Sequence, residues 1–179
     1  MLTLLVLVAL LVTAAAPELS RWRARQSALA AGVRLAMQVE GARAAAVNRR
    51  RAHGIRFEIG TQARWSLVAD GDGDGIRSAD LRAGVDLVTL AHTAASPQDA
   101  AIRLGLDESV PPLPGSARPT TRLPMAPTGL LTASPMGTLS TGTVYLCHRE
   151  GVCVAVRVYG PGGRVGLWQF DTGGWKRRW

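Results

Sequence analysis

Alternating carboxylates and glycines are the residues in this chain most clearly arranged to do chemistry. Asp70-Gly71-Asp72-Gly73-Asp74-Gly75 follows the D-x-D-x-D-G order that opens an EF-hand loop. Hard cations take several oxygen ligands, and a glycine-hinged run of aspartates offers them, so calcium is the cofactor this pattern points to. The loop then departs from the pattern. Its twelfth position is Leu81 rather than glutamate, and Asp80 falls one residue early. The calcium reading therefore rests on Asp70, Asp72, Asp74 and Asp80. The alternative is an Asp/Gly turn closing a strand that ends at Ala69.

Two further sets carry reactive groups. Cys147 and Cys153 flank a turn at 148–152. In a hairpin symmetric about Glu150 they face each other, which permits a cross-strand disulfide in an oxidising compartment. The alternative is two small buried side chains. His148 with both cysteines falls one ligand short of a zinc site. At the C-terminus Arg164, Lys176, Arg177 and Arg178 accompany Trp175 and Trp179. Phosphate neutralisation with base stacking is the chemistry of non-specific DNA binding. The alternative is a solvated tail whose tryptophans pack on a sheet. His53, His92 and His148 stand apart from one another, and no G-x-S-x-G, Walker or H-E-x-x-H pattern is present. The chain reads as a non-enzyme without a small-molecule substrate.

The elements that must position these residues begin with an uncharged run. Residues 1–17 are apolar apart from two threonines, slightly short of the roughly 20 needed to cross a bilayer. Three readings are open: a membrane-spanning helix, a signal peptide cleaved after Ala15, and a buried core helix. The signal-peptide reading lacks a basic leader. In the membrane reading the flanking charges Arg21, Arg23 and Arg25 all lie on the C-terminal side. Both features are explained if further residues precede Met1. Residues 18–53 continue as an amphipathic helix of good helix formers, with Leu29, Val33, Ala36, Met37, Ala44 and Val47 at spacings of three and four. Gly54 is the expected helix end.

From residue 54 the period changes to two. Ile55, Phe57 and Ile59 alternate with Arg56 and Glu58, and 63–69, 85–91 and 101–106 are further strand candidates. Residues 107–141 hold most of the ten prolines and read as a long loop. Residues 143–148, 153–159 and 164–170 then form a three-stranded meander with turns at 149–151 and 160–163. An apolar fraction of 47% excludes a disordered chain, and two cysteines exclude a disulfide-dense scaffold. Of 21 basic residues every one but Lys176 is arginine, and eight arginines fall between Arg21 and Arg51, so the net charge of +8 is spread over several regions.

This order of elements, with the local sequences at 8–26, 34–51, 65–75 and above all 134–168, resembles the GspH/FimT family of type II secretion and type IV pilus pseudopilins (minor pilins). The resemblance implies an α+β, pilin-like fold: a long N-terminal membrane-anchored helix followed by a small antiparallel β-sandwich domain. It implies a transmembrane segment at 1–17, an amphipathic continuation at 18–53 and a periplasmic β domain at 54–179. The implied role is a filament subunit of the inner membrane, partnered by other pseudopilins and an inner-membrane assembly platform. A periplasmic location favours the Cys147–Cys153 disulfide. Family members begin with a basic leader, a processing-site glycine and a Thr-Leu-Ile-Glu-type run, and aligning Pro17 with the family's proline places Met1 just after that glutamate. Two alternatives follow. Some FimT-like members bind DNA through a G-R-x-R motif, of which Gly163-Arg164-Val165-Gly166 keeps the first arginine only. The other is a secreted β domain released by signal cleavage.

Overall fold

The computed structural model describes the backbone of residues 2–94, 100–122, 124–125 and 128–179, and within these the side chains of 16–90 and of residue 100 onward. One helix, α1, runs from Leu2 to Arg49 with Pro17 inside it. At 1.5 Å per residue it is about 72 Å long. It ends where Arg50 turns left-handed at φ 53°, earlier than expected. Gly54 is not the helix end. It lies in β1 (His53–Glu58), where a Cβ would run into the backbone carbonyl of Leu131.

β1 is followed by β2 (Arg64–Ala69), α2 (Ser78–Ala83), β3 (Leu87–Ala94), β4 (Ile102–Leu104), β5 (Leu130–Ala133), β6 (Gly142–His148), β7 (Cys153–Tyr159), β8 (Arg164–Asp171) and β9 (Gly174–Arg177). Two antiparallel sheets result, ordered β3-β2-β1-β5 and β4-β6-β7-β8-β9. Three elements depart from the sequence reading. β5 lies inside the proline-rich segment, pairing Leu131 with Ile55 of β1. β9 adds a fourth strand to the meander, pairing Trp175 with Phe170. α2 occupies the segment after the aspartate turn.

Both sheets and the helix share one core. Ile55, Phe57, Trp65, Leu131, Val144, Leu146, Val154, Val156 and Leu167 meet Ala28, Ala31, Leu35 and Val39 of α1 there. The Trp65 indole N–H donates to the side-chain carbonyl of Gln38, which fastens β2 to the helix. The buried stripe of α1 is Ala24, Ala28, Ala31, Leu35, Val39, Ala42 and Ala46. Of the six stripe residues expected from the sequence, Ala36 is fully buried on that side, and Leu29 and Val33 pack partly buried against the same core. Small residues let the strands approach the helix axis closely. Gly32 takes this furthest, since a Cβ there would lie 2.7 Å from Leu167 Cδ1.

The outer face of the second sheet is covered by the proline-rich segment acting as a strap. Val110 packs on Cys147 and Cys153, and Leu113 on Tyr145 and Ala155. The strap's backbone is satisfied by side chains. The Leu113 N–H donates to the Tyr145 hydroxyl at 3.0 Å, Trp175 Nε1 donates to the Pro111 carbonyl at 2.8 Å, and Arg157 donates to the carbonyls of Pro114 and Gly115 at 2.8 and 2.9 Å. A loop can be buried only when its polar groups find such partners.

Candidate functional site

The stripe read from the sequence exists, but it runs along the margin of the core and out of it, with Ala36 inside the core and Leu29 and Val33 packed against its edge. Leu29 and Val33 are half-buried, and Met37 and Val47 are 67% and 46% exposed. Leu19 and Trp22 extend it N-terminally, at 47% and 56% exposure. Positions 22, 26, 29, 33 and 37 precede the buried positions 24, 28, 31, 35 and 39 by two residues, which places them about 160° around the helix. A groove of ≈ 550 Å³ follows this side, lined by Gln26, Leu29, Ala30, Val33, Arg34, Met37 and Gln38. The helix therefore carries two apolar stripes. The alanine-rich one packs on the chain's own sheets, and the larger-residue one is covered only in part, with Leu29 and Val33 resting on the edge of the core and Leu19, Trp22 and Met37 exposed.

The aspartate turn is organised by its own backbone. Asp70, buried at 5% exposure, accepts the N–H groups of Gly73 at 2.6 Å and Gly75 at 3.2 Å on its two oxygens. Asp86, 2% exposed, accepts from the N–H groups of Gly71 and Arg77 at 3.1 and 3.0 Å. Asp86 was not singled out in the sequence, because its contribution depends on β3 returning beside the turn. Asp70, Asp72 and Asp74 come together, with ligand oxygens within 4.8 Å of one another, and Asp80 is not part of that trio. One Asp80 carboxylate oxygen is buried without a hydrogen-bond partner, while its carbonyl accepts from Val85 and Asp86. The N–H of Asp74 holds the Asp72 carboxyl below the usual range. Partial loss of hydration, with Asp72 beside it, pushes Asp74 up even though Arg77 pairs with it. The turn thus has three clustered carboxylates, and its conformation is already accounted for by backbone hydrogen bonds.

Cys147 and Cys153 are directly opposite in the β6–β7 register and are joined as a disulfide. The bond lies beneath the strap, against Val110, Phe170 and Trp175. The basic C-terminal residues are divided among several contacts. Arg164 starts β8 opposite Tyr159. Lys176 pairs with Asp171 at 3.4 Å, Arg177 donates to the Trp179 carbonyl at 3.2 Å, and Arg178 donates to Gln169 at 2.9 Å. Trp175 is engaged in packing against Tyr145 and Phe170, at ring-centroid distances of 5.8 and 5.4 Å, whereas Trp179 is 44% exposed. Arg43 of α1 holds the turn before Arg164, donating to the carbonyls of Gly163 at 3.0 Å and Gly137 at 2.9 Å.

Among the described residues no helix is long and apolar enough to cross a membrane. The apolar run at 1–17, expected to do so, falls largely on side chains outside the described residues.

No protein-family model matches the sequence, and no curated protein matches it significantly. Among solved structures the chain is similar to the minor pseudopilin EpsH from the type II secretion system of Vibrio cholerae, at 12% identity and a TM-score of 0.51, over 80% of this chain and 94% of EpsH. The chain has a pilin-like fold. The order of this chain, an N-terminal helix followed by antiparallel sheets, is consistent with that fold. At this identity the similarity is one of fold, and the side chains described above are this chain's own.

Proposed function

We propose that this chain is a structural subunit of the minor-pseudopilin kind, built into a type II secretion pseudopilus or type IV pilus-like filament. In this reading residues 1–17 anchor it in the inner membrane and the β domain is periplasmic. The observation that carries the proposal is the exposed part of the second apolar stripe of α1, Leu19, Trp22, Met37 and Val47, beside a stripe already buried. Contiguous exposed apolar patches mark interaction surfaces. In a filament, neighbouring helices bury such stripes against one another, and helix-on-helix packing needs no catalytic group. The pilin-like fold supports this reading, since it sets a long helix on one side of a compact domain.

The test is incorporation. Filaments sheared from cells expressing the full chain are sedimented and probed for it, beside a Met37→Glu variant. The chain is expected in the filament fraction and the variant is expected to be lost from it, with an unchanged circular dichroism spectrum because Met37 is 67% exposed. Absence of the parent chain from filaments, or equal incorporation of the variant, would overturn the reading.

A further inference from the structure

Where α1 leaves the β domain, charges of both signs surround one cleft. Residues 16–23 of the helix are exposed on every side, and Ala24 is the first to enter the core. This free neck carries Glu18, Arg21, Trp22 and Arg23, and Arg25 follows one turn after Arg21. A cleft of ≈ 320 Å³ lies between the neck and the base of the second sheet. Arg21 and Arg25 line its helix side. Glu150 of the β6–β7 turn and Asp171 at the end of β8 line its sheet side, with Phe170 beside them. The charges are loosely matched. Arg25 lies 4.0 Å from Asp171 and Arg21 lies 4.0 Å from Glu18, and the two arginine side chains are 50% and 65% exposed. Exposed pairs of this kind hold their partners weakly, so both arginines are free to take another anion. Asp171 also pairs with Lys176 at 3.4 Å and accepts the Thr172 N–H at 2.8 Å. Glu150 is exposed at the tip of its turn, which its backbone N–H fixes by donating to His148 Nδ1 at 3.1 Å.

Position along the helix points to the membrane as the source of an occupant. The uncharged run ends at Pro17. At 1.5 Å per residue, Arg21 and Arg25 follow it by about 6 and about 12 Å. The polar layer of a bilayer extends about 5–8 Å beyond each side of its hydrocarbon core. With residues 1–17 in the hydrocarbon, the mouth of the cleft falls at headgroup level. Trp22, 56% exposed, then takes the interfacial place usual for tryptophan. Arginine side chains are long enough to reach back toward the phosphates.

We propose that this cleft holds the phosphoethanolamine headgroup of a membrane lipid, with its phosphate on Arg21 and Arg25 and its ammonium on Glu150 and Asp171. The inference rests on the membrane anchoring of the proposed function and names a partner for it. Charge selects the headgroup. An anionic one would satisfy the arginines but meet two carboxylates, and like charges brought together are costly. A zwitterionic one meets opposite charge at both ends. A trimethylated ammonium would offer the carboxylates no N–H, whereas a primary ammonium donates charge-assisted hydrogen bonds. Held in this way, the lipid ties the neck to the second sheet and sets the height of the β domain above the bilayer.

The experiment separates the cleft from the anchor. The full chain is reconstituted into vesicles of equal parts phosphatidylethanolamine, phosphatidylcholine and phosphatidylglycerol and floated on a density gradient. It is then extracted in mild detergent, and the lipid it retains is identified by mass spectrometry. Flotation reports anchoring, and retained lipid reports the cleft. Expected is flotation with phosphatidylethanolamine enriched about threefold or more over the other two, the range of a few exposed charge contacts. Arg21→Gln with Arg25→Gln should abolish the enrichment. Glu150→Gln should lower the preference over phosphatidylcholine. Arg23→Gln, on the neck but outside the cleft, should change nothing, and all variants should float. Flotation without enrichment, or with phosphatidylglycerol enriched instead, overturns the proposal and leaves the anchoring standing. So does an enrichment indifferent to the paired glutamines, or one lost equally in Arg23→Gln. A chain that does not float overturns the anchoring, and the proposal with it.

Discussion

The two sheets share a single inner core and part company on their outer faces. The second sheet is roofed by the strap, with Val110 and Leu113 buried and Tyr145, Arg157 and Trp175 holding its backbone. The first sheet has only a small outer cluster of Val68, Leu81 and Leu130 with Ile76, and beyond it β3 lies open. The difference teaches that a segment without regular secondary structure can close a sheet as well as a helix does, provided side chains satisfy its carbonyls and N–H groups. The sheet given the shorter cover keeps the apolar side chains of Leu87, Val88 and Leu90 exposed.

The comparison can be broken most directly by deleting one leucine from each cover. Leu113 is fully buried, and Leu113→Ala should cost about 2–5 kcal/mol in chemical denaturation, with the Tyr145 contact left beside a cavity. Leu81 is 9% exposed in a cluster of three buried residues. Leu81→Ala should fall at or below the low end of that range, because a marginal site can relax into solvent. Equal losses would mean that the two covers are energetically alike.

Much of the fold was legible because its periods are local. The change from a helical pattern to alternation near residue 54, and the closing meander, appear in the structure where the apolar residues repeat. The stripe on α1 was legible too, but the centre of its buried side was not. Leu29 and Val33 reach only the edge of the core and Met37 lies outside it, whereas the sheets bury the alanine side fully, where close approach of backbones outweighs side-chain size. β5 was hidden because Leu130 and Leu131 sit within a stretch whose prolines signal loop, and only pairing with β1 makes it a strand. The strap's spacing of Leu106, Val110 and Leu113 held a trace of its buried side. Asp86 carried no local signal, since its partners at Gly71 and Arg77 are 15 and 9 residues away.

A smaller effect sharpens the comparison from the covalent side. The disulfide joins residues only six apart in an existing hairpin, so it removes little chain entropy. Replacing both cysteines by alanine should cost about 2 kcal/mol on the loop-length relation. Because the bond lies under Val110, the loss should be accompanied by faster amide exchange in the strap, with β1 and β2 amides unchanged relative to global unfolding. Uniform acceleration across both sheets would show that the bond stabilises the whole domain and not the roofed side.

The smallest effect tests the strap's entry by pH. The Ser109 backbone N–H donates to the Asp107 carboxylate at 3.1 Å, and the Ser109 hydroxyl at 2.9 Å. Those bonds, aided by the positive charge of Arg103, hold the Asp107 carboxyl below the usual range. A carboxyl lowered in the folded state adds stability that is complete above its unfolded value and is lost as pH falls through its folded value. Asp107 is partly exposed, so the contribution should be only a few tenths of a kcal/mol. Asp107→Asn should therefore be slightly less stable than the parent at neutral pH, and the gap should close as acid carries the pH through the lowered folded value of Asp107, beneath the usual carboxylate range, where both side chains are neutral. The Val110 amide should report the same pH dependence in exchange, while β1 amides of the first sheet should not. A gap that persists in acid would assign the effect of the substitution to lost geometry at Ser109, leaving the strap's hold on the second sheet independent of charge.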